Sequence, residues 1–325
     1  NGTAPAGNWT GLFRSGEKVL LRFINGASMT YFDVRIPGLK MTVVAADGQR
    51  VHPVTVDEFR IAVAETLDVV VEPQDQPYTI FAQAMDRGGY ARATLAPRYG
   101  LSAPVPALDP RPLLTMADMG MDHGSGHDMS KMDHSMPGMD HDMANMAGMA
   151  HGAADSKPLP DTPWIDMRAT SVSKAQDDPG VGLRGNGRRV LTLSDLRSDF
   201  ADPDGREPGR TLELHLTGSM ERYAWGFDGV PYSESQPLRF DYGERLRIVL
   251  VNDTMMEHPI HLHGMWSDIE DEDGGFRVRR HTVTVPPGHS RSYRVRADAL
   301  GRWAYHCHML LHMELGMFRE VRVDA

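Results

Sequence analysis

The sequence predicts an all-β protein of two sandwiches in tandem, joined by a flexible Met/His-rich linker. Three observations carry this. Short runs of alternating apolar and polar residues recur along the chain, bounded by Gly, Pro and Asp about every eight to twelve residues, as in an antiparallel sandwich. Apolar residues at helical spacing are scarce. The chain also repeats itself: Gly16-Glu17-Lys18-Val19 through Asn25 matches Gly243-Glu244-Arg245-Leu246 through Asn252 at identical spacing. The match continues from Gly38 to Asp47-Gly48 against Gly264 to Asp273-Gly274, and Tyr78-Thr79-Ile80 falls against Trp303-Ala304-Tyr305.

In the first copy the strands expected are Val19 to Ile24, Phe32 to Ile36, Met41 to Ala45 and Leu67 to Val71. In the second they are Leu212 to Leu216, Leu246 to Val251 and Tyr293 to Val295. At roughly 150 residues per domain the length suits two units, divided as 1–105, a linker over 106–160, and 161–325. The linker differs sharply in composition. It carries Met116, Met119, Met121, Met129, Met132, Met136, Met139, Met143, Met146 and Met149, interleaved with His123, His127, His134, His141 and His151. With few branched apolar residues and no aromatics from 116 to 151, it cannot bury enough surface to offset the entropy of ordering. Thioethers select Cu(I) and imidazoles also take Cu(II), so the segment reads as a copper-collecting tether. The plainer alternative is a solvated spacer.

Composition excludes some functions. A formal charge of −10 argues against nucleic acid as a partner, since phosphate binding wants a basic surface, and it is compatible with attracting a cation. No stretch approaches the roughly 18 apolar residues of a membrane span. One cysteine, Cys307, rules out an internal disulfide framework.

That cysteine stands in His306-Cys307-His308. Side chains alternate across a strand, so the two histidines share one face and the thiol projects from the other. Upstream, in His258-Pro259-Ile260-His261-Leu262-His263, the same parity separates His258 from His261 and His263. Adding His312 and Met317 gives two imidazoles, a thiolate and a thioether, the ligand set of a blue-copper electron-transfer site. His261, His263, His306 and His308 then form an all-imidazole cluster behind it. Singly, a buried cysteine is more often a small core hydrophobe. Zinc has no use for a distant thioether, and a cysteine nucleophile would leave five histidines unexplained.

This constellation resembles the multicopper oxidases, and the wording around it resembles the copper-resistance protein A family. The closer match lies in Met255-Met256-Glu257, Met265-Trp266-Ser267-Asp268 and Gly301-Arg302-Trp303-Ala304-Tyr305, and it spans essentially the whole chain. The resemblance implies tandem cupredoxin Greek-key sandwiches, a type 1 copper at His258, Cys307, His312 and Met317, and a periplasmic location. It also implies electron transfer through Cys307, His306 and His308 to a trinuclear copper cluster that reduces dioxygen to water. Expected partners are copper ions and dioxygen, with a periplasmic copper chaperone as a further one. Cu(I), with phenols as a second class, is the expected reductant. Met255 and Met256, with Met220 and Met313, are candidates for a labile Cu(I) site. His312 and Met317 are expected on a loop, with the ring of His312 or His258 facing solvent as the electron doorway.

The family's cluster uses eight histidines, and the residues that match its motifs here supply four. Residues 1–122 hold only His52, and no initiator Met or leader opens the chain, so the expectation is a fragment carrying the second and third of three domains. A one-electron carrier and a copper nitrite reductase are weaker candidates, because His308 after the cysteine points to the cluster. A copper-sequestering protein dominated by the Met-rich segment is the alternative from another class. The acidic run Asp268, Glu270, Asp271, Glu272 and Asp273 reads as a solvated hairpin around Asp273-Gly274, with proton delivery as the competing role. His215, His281 and His289 fall outside every motif.

Overall fold

A computed structural model describes residues 2–121 and 159–325. The first sandwich comprises β1 (Trp9–Leu12), β2 (Val19–Ile24), β3 (Phe32–Arg35), β4 (Met41–Ala46), β5 (Gln49–Val56), β6 (Glu58–Ile61), β7 (Thr66–Val71), β8 (Tyr78–Ala84) and β9 (Tyr90–Ala96). Its sheets run β1-β9-β8-β3-β6 and β2-β7-β4-β5. Alternation works as the sequence suggests: on β7, Leu67, Val69 and Val71 are buried while their neighbours are half-buried.

The second sandwich comprises β10 (Arg210–Ser219), β11 (Ala224–Phe227), β12 (Leu238–Asp241), β13 (Arg245–Asn252), β14 (His258–Leu262), β15 (Ser267–Glu270), β16 (Phe276–Arg280), β17 (Thr282–Val285), β18 (Ser290–Arg296), β19 (Gly301–Cys307) and β20 (Phe318–Asp324). A short helix, α1 (Leu310–Glu314), lies between the last two strands. The sheets run β11-β10-β13-β18-β15-β16 and β12-β20-β19-β14-β17, with Ile248, Leu250, Ile260, Val283, Tyr293 and Tyr305 in the core.

The repeat has a structural meaning. Val34 on β3 stands opposite Ala82 on β8, and Ile260 on β14 stands opposite Cys307 on β19, so the two copies share one register. Asn25 and Asn252 do the same work at the ends of β2 and β13. Asn25 donates to the carbonyls of Thr30 and Ile61, and Asn252 to those of Met256 and Val285, each organising the loop that leads into the next ladder. Where the second copy has metal-ligand types, the first has Phe32, Phe81 and Ala82.

Buried ion pairs brace the first sandwich and join it to the second. Asp33 accepts from Arg60 at 2.7 Å and from Arg87 at 2.6 Å, and Arg60 reaches Glu257 at 3.3 Å. Arg280 donates to Asp47 at 2.7 Å. The stretch 106–121, expected as the start of a flexible linker, is instead tied down: Asp109 accepts from Gln83 at 2.7 Å and from Arg35 at 3.1 Å, and Asp118 pairs with Arg184. Gln83, Arg35 and Arg184, which a compositional reading does not pick out, hold it there. The methionines at 129, 132, 136, 139, 143, 146 and 149, and the five tether histidines, lie outside the described residues.

His215, on β10, is buried between carboxylates: its Nδ1 is 2.6 Å from Asp253 and its Nε2 3.3 Å from Glu213. Burial opposes the charged ring, but the hydrogen bond and charge of Asp253, helped by Glu213, raise its pKa above the ordinary histidine value. A raised folded-state pKa contributes stability that is full below the unfolded value near 6.5 and is lost as pH rises through the folded pKa. Denaturant titrations of His215→Gln against the parent chain are therefore expected to show their largest stability difference below about pH 6.5, shrinking above it.

Candidate metal centre

Strand parity assembles one donor set inside the second sandwich. His258 opens β14, Cys307 closes β19 and His312 projects from α1. The Cys307 Sγ is 3.6 Å from His258 Nδ1 and 3.8 Å from His312 Nδ1, and those two nitrogens are 3.2 Å apart. All three side chains are buried. Met317 is also fully buried; its amide donates to the His312 carbonyl at 2.9 Å, and its carbonyl accepts from the Cys307 amide at 3.1 Å.

Surrounding residues favour one ring tautomer. The Thr254 hydroxyl, 2.7 Å from His258 Nε2, has Asn252 Oδ1 at 2.9 Å and the Met256 carbonyl at 3.2 Å as acceptors for its own proton, so it is placed to accept from Nε2–H, the tautomer that leaves Nδ1 bare towards the thiol. Trp225 stacks on His312 with ring centres 3.9 Å apart. Burial holds His258 well below the ordinary histidine pKa, with the neighbouring His312 adding to the effect, and brings His312 down to about 4. Both rings are therefore neutral at pH 7, as metal ligation requires. Burial pushes the Cys307 thiol well up, so a bound metal has to displace its proton.

Two expectations need correcting. His312 is carried by a helix, since Leu310 to Glu314 close one α-helical turn after the strand ends. Neither ring faces solvent: His258 is 0% and His312 1% exposed, because Trp225 and the core cover them.

The four remaining histidines converge on the opposite face. His261 lies 4.6 Å from His263, 6.0 Å from His306 and 5.9 Å from His308 between ring centres, and the Nε2 atoms of His263 and His306 are 3.1 Å apart. His306 donates from Nδ1 to the Cys307 carbonyl at 2.9 Å, and His261 from Nδ1 to the His281 carbonyl at 2.6 Å. Burial lowers the pKa of His306 and His308 and takes His261 to about 4. His308 Nδ1 is buried without a hydrogen-bond partner. Clustered rings with an orphaned nitrogen fit a metal site, and imidazole suits copper.

Beside His258 a cavity of about 290 Å³ opens between the sandwiches. Met255 and Met256 line it, joined by Met85, Met309, Glu257 and Arg291. Met220 and Met313 are not among its lining residues. The acidic run is structural. Asp268 pairs with Arg279 at 2.7 Å, Glu270 with Arg247 and Arg294, and Asp271 accepts backbone amides of the turn, all associated with the sheet that carries none of the four clustered histidines. Thr254, Trp225, Met85 and Met309 carry no motif signal and come together only through the fold.

Comparison with known proteins agrees with this geometry. Models described as multicopper oxidase match residues 1–99 and 206–325. Copper resistance protein A of Escherichia coli is 65% identical, the match covering 100% of this chain and 58% of that protein. A copper resistance protein A homolog of Pseudomonas syringae pv. tomato is 66% identical, covering 100% and 57%. The chain thus spans somewhat over half the length of the curated relatives it matches. Among solved structures, Fet3p, described as a multicopper oxidase that functions in iron import, aligns with a TM-score of 0.65 at 16% identity, over 98% of this chain and 57% of its own. That likeness shows the fold, a pair of cupredoxin-like sandwiches. Copper is the cofactor of the family so identified, and the chain belongs to the multicopper oxidases, similar along its whole length to copper resistance protein A.

Proposed function

We propose that the chain carries the electron-accepting half of a copper oxidase that oxidises Cu(I), with phenols as a second class of reductant, and passes the electrons to dioxygen in service of copper resistance. One observation carries this reading. His306-Cys307-His308 puts a buried thiol beside two neutral imidazoles on one face of β19 and two imidazoles of a four-ring cluster on the other. His258, Cys307, His312 and Met317 would hold type 1 copper, and His261, His263, His306 and His308 half of a trinuclear site. Bound copper supplies one-electron redox chemistry at the first position and dioxygen reduction at the second. The chain's own part is to keep His258, Cys307, His312 and Met317 buried and fixed, and to link the two positions through the backbone of Cys307. Four rings are half the family's set, so completing the cluster calls for nitrogen donors beyond these.

Electron entry is proposed through the methionine-lined cavity, since both ligand rings are buried. Met255 and Met256 are soft donors that suit Cu(I), and Met85 and Met309 extend them. The double substitution Met255→Leu/Met256→Leu is expected to slow Cu(I) oxidation by about tenfold, the factor that about 1.4 kcal/mol of lost ligation gives, while the blue absorption stays. Unchanged turnover would move the entry point elsewhere.

The reading includes a periplasmic location and Cu(I) supply by a periplasmic copper chaperone. Among the described residues no helix is long and apolar enough to cross a membrane. Oxygen uptake by the full-length, copper-loaded protein given Cu(I) tests the function. Sustained consumption is the expected result. Copper uptake without oxygen consumption would favour the sequestering role, with Met116, Met119, Met121 and the methionines after them as the main element.

A further inference from the structure

We propose that Asp47, on the sandwich that holds none of the clustered histidines, is a positioning residue for the imidazole cluster on the other. The inference rests on reading that cluster as a metal site. Asp47 sits in the turn between β4 and β5, with φ +49° followed by Gly48 at φ +72°, a left-handed pair that Asp and Gly tolerate. The equivalent Asp273-Gly274 turn of the second copy leaves Asp273 exposed. Asp47 instead is fully buried against the partner sandwich, its side chain 0% exposed.

The buried carboxylate is saturated with donors. Its Oδ2 accepts from Arg280 Nε at 2.7 Å, from the His281 amide at 3.1 Å and from the Thr282 amide at 3.2 Å. Its Oδ1 accepts from the Thr66 amide at 3.0 Å. These bonds fix the junction of β16 and β17, where the peptide carbonyl of His281 accepts from His261 Nδ1 at 2.6 Å. A proton held on Nδ1 leaves Nε2 as the bare nitrogen of His261. The path from Asp47 to the ring is one residue: carboxylate to His281 amide, His281 carbonyl to imidazole. Partners of this kind orient metal-binding histidines, and their loss typically costs about 10- to 100-fold in metal affinity.

This gives the ligand-poor sandwich a task at the metal site, beyond bulk. Glu65 provides the control, because it also grips the second sandwich, accepting from Thr284 at 2.9 Å and pairing with Arg280 at 3.2 Å, but makes no bond to His281.

The experiment uses the full chain, metal-free, labelled with ¹⁵N histidine. The parent chain is expected to show His261 as the Nδ1–H tautomer. Asp47→Asn should mix the tautomers, and the Cu(II) concentration that broadens the His261 and His306 ring signals should rise by about 10- to 100-fold. Glu65→Gln should leave both unchanged. An unaltered His261 tautomer in Asp47→Asn, or an equal shift in Glu65→Gln, overturns the proposal. Should Asp47→Asn fail to fold, Asp47→Glu, which keeps the charge on a longer stem, carries the same expectation, and an unaltered tautomer there overturns the proposal as well. If Cu(II) leaves the parent's ring signals untouched, the cluster is not a copper site, while the tautomer comparison still decides the role of Asp47.

Discussion

Cys307→Ser is expected to abolish the blue absorption and the oxygen uptake of the copper-loaded full-length protein, while leaving copper on the imidazole cluster in place. The asymmetry follows from parity. Residue 307 faces His258 and His312, and its neighbours face His261 and His263, so an oxygen for sulfur exchange touches one donor set only. A serine hydroxyl is hard and stays protonated where a thiolate is soft and ionised by the metal, and copper selects the latter. The serine also buries an unpartnered hydroxyl at a 0% exposed position, which costs the metal-free chain about 1–3 kcal/mol. Absorbance, electron paramagnetic resonance and denaturant titration read the three effects separately. A blue band surviving in the variant would mean that the thiolate is not the ligand.

Asp33→Ala is expected to be the most destabilising single change at the interface. Asp33 is 0% exposed and serves two guanidinium groups, Arg60 and Arg87, themselves nearly buried. Removing one member of such a network leaves charges in a poorly hydrated site, at a cost of about 3–5 kcal/mol. The effect should reach the metal centre as well: Arg60 also pairs with Glu257, next to His258, so its release loosens the loop that delivers the first ligand. Denaturant unfolding of the metal-free chain measures the loss, and Asp33→Asn, which keeps an acceptor, should lose less. A change within about 0.5 kcal/mol, the usual range for a surface site, would show that the arginines find other partners.

Much of this architecture is legible in the sequence alone. The repeat aligns Cys307 with Ala82, and the structure gives both the same place in their ladders, because shared spacing between Gly, Asn and Asp-Gly turns fixes register. Two-residue alternation separates His258 from His261 and His263, a split that needs only the strand. What lies beyond reach depends on tertiary contact. The turn of helix carrying His312 is too short for periodicity to reveal. The burial of both rings depends on Trp225, about thirty residues before β14, and the methionine cavity draws Met85 from the other sandwich. His281 acts through its backbone carbonyl, for which no side-chain pattern exists. Composition likewise misses the tethering of 106–121, since Asp109 looks like a linker residue until Arg35, Gln83 and Arg188 surround it.

The function proposed for this chain stands on one strand presenting sulfur to one copper and nitrogen to others. Crystals of the chain soaked with copper and measured at the copper absorption edge put that to the test. An anomalous peak enclosed by Cys307 Sγ, His258 Nδ1 and His312 Nδ1 is expected, with separate density among the rings of His261, His263, His306 and His308. Copper confined to other positions, with the thiol of Cys307 unbound, would contradict it.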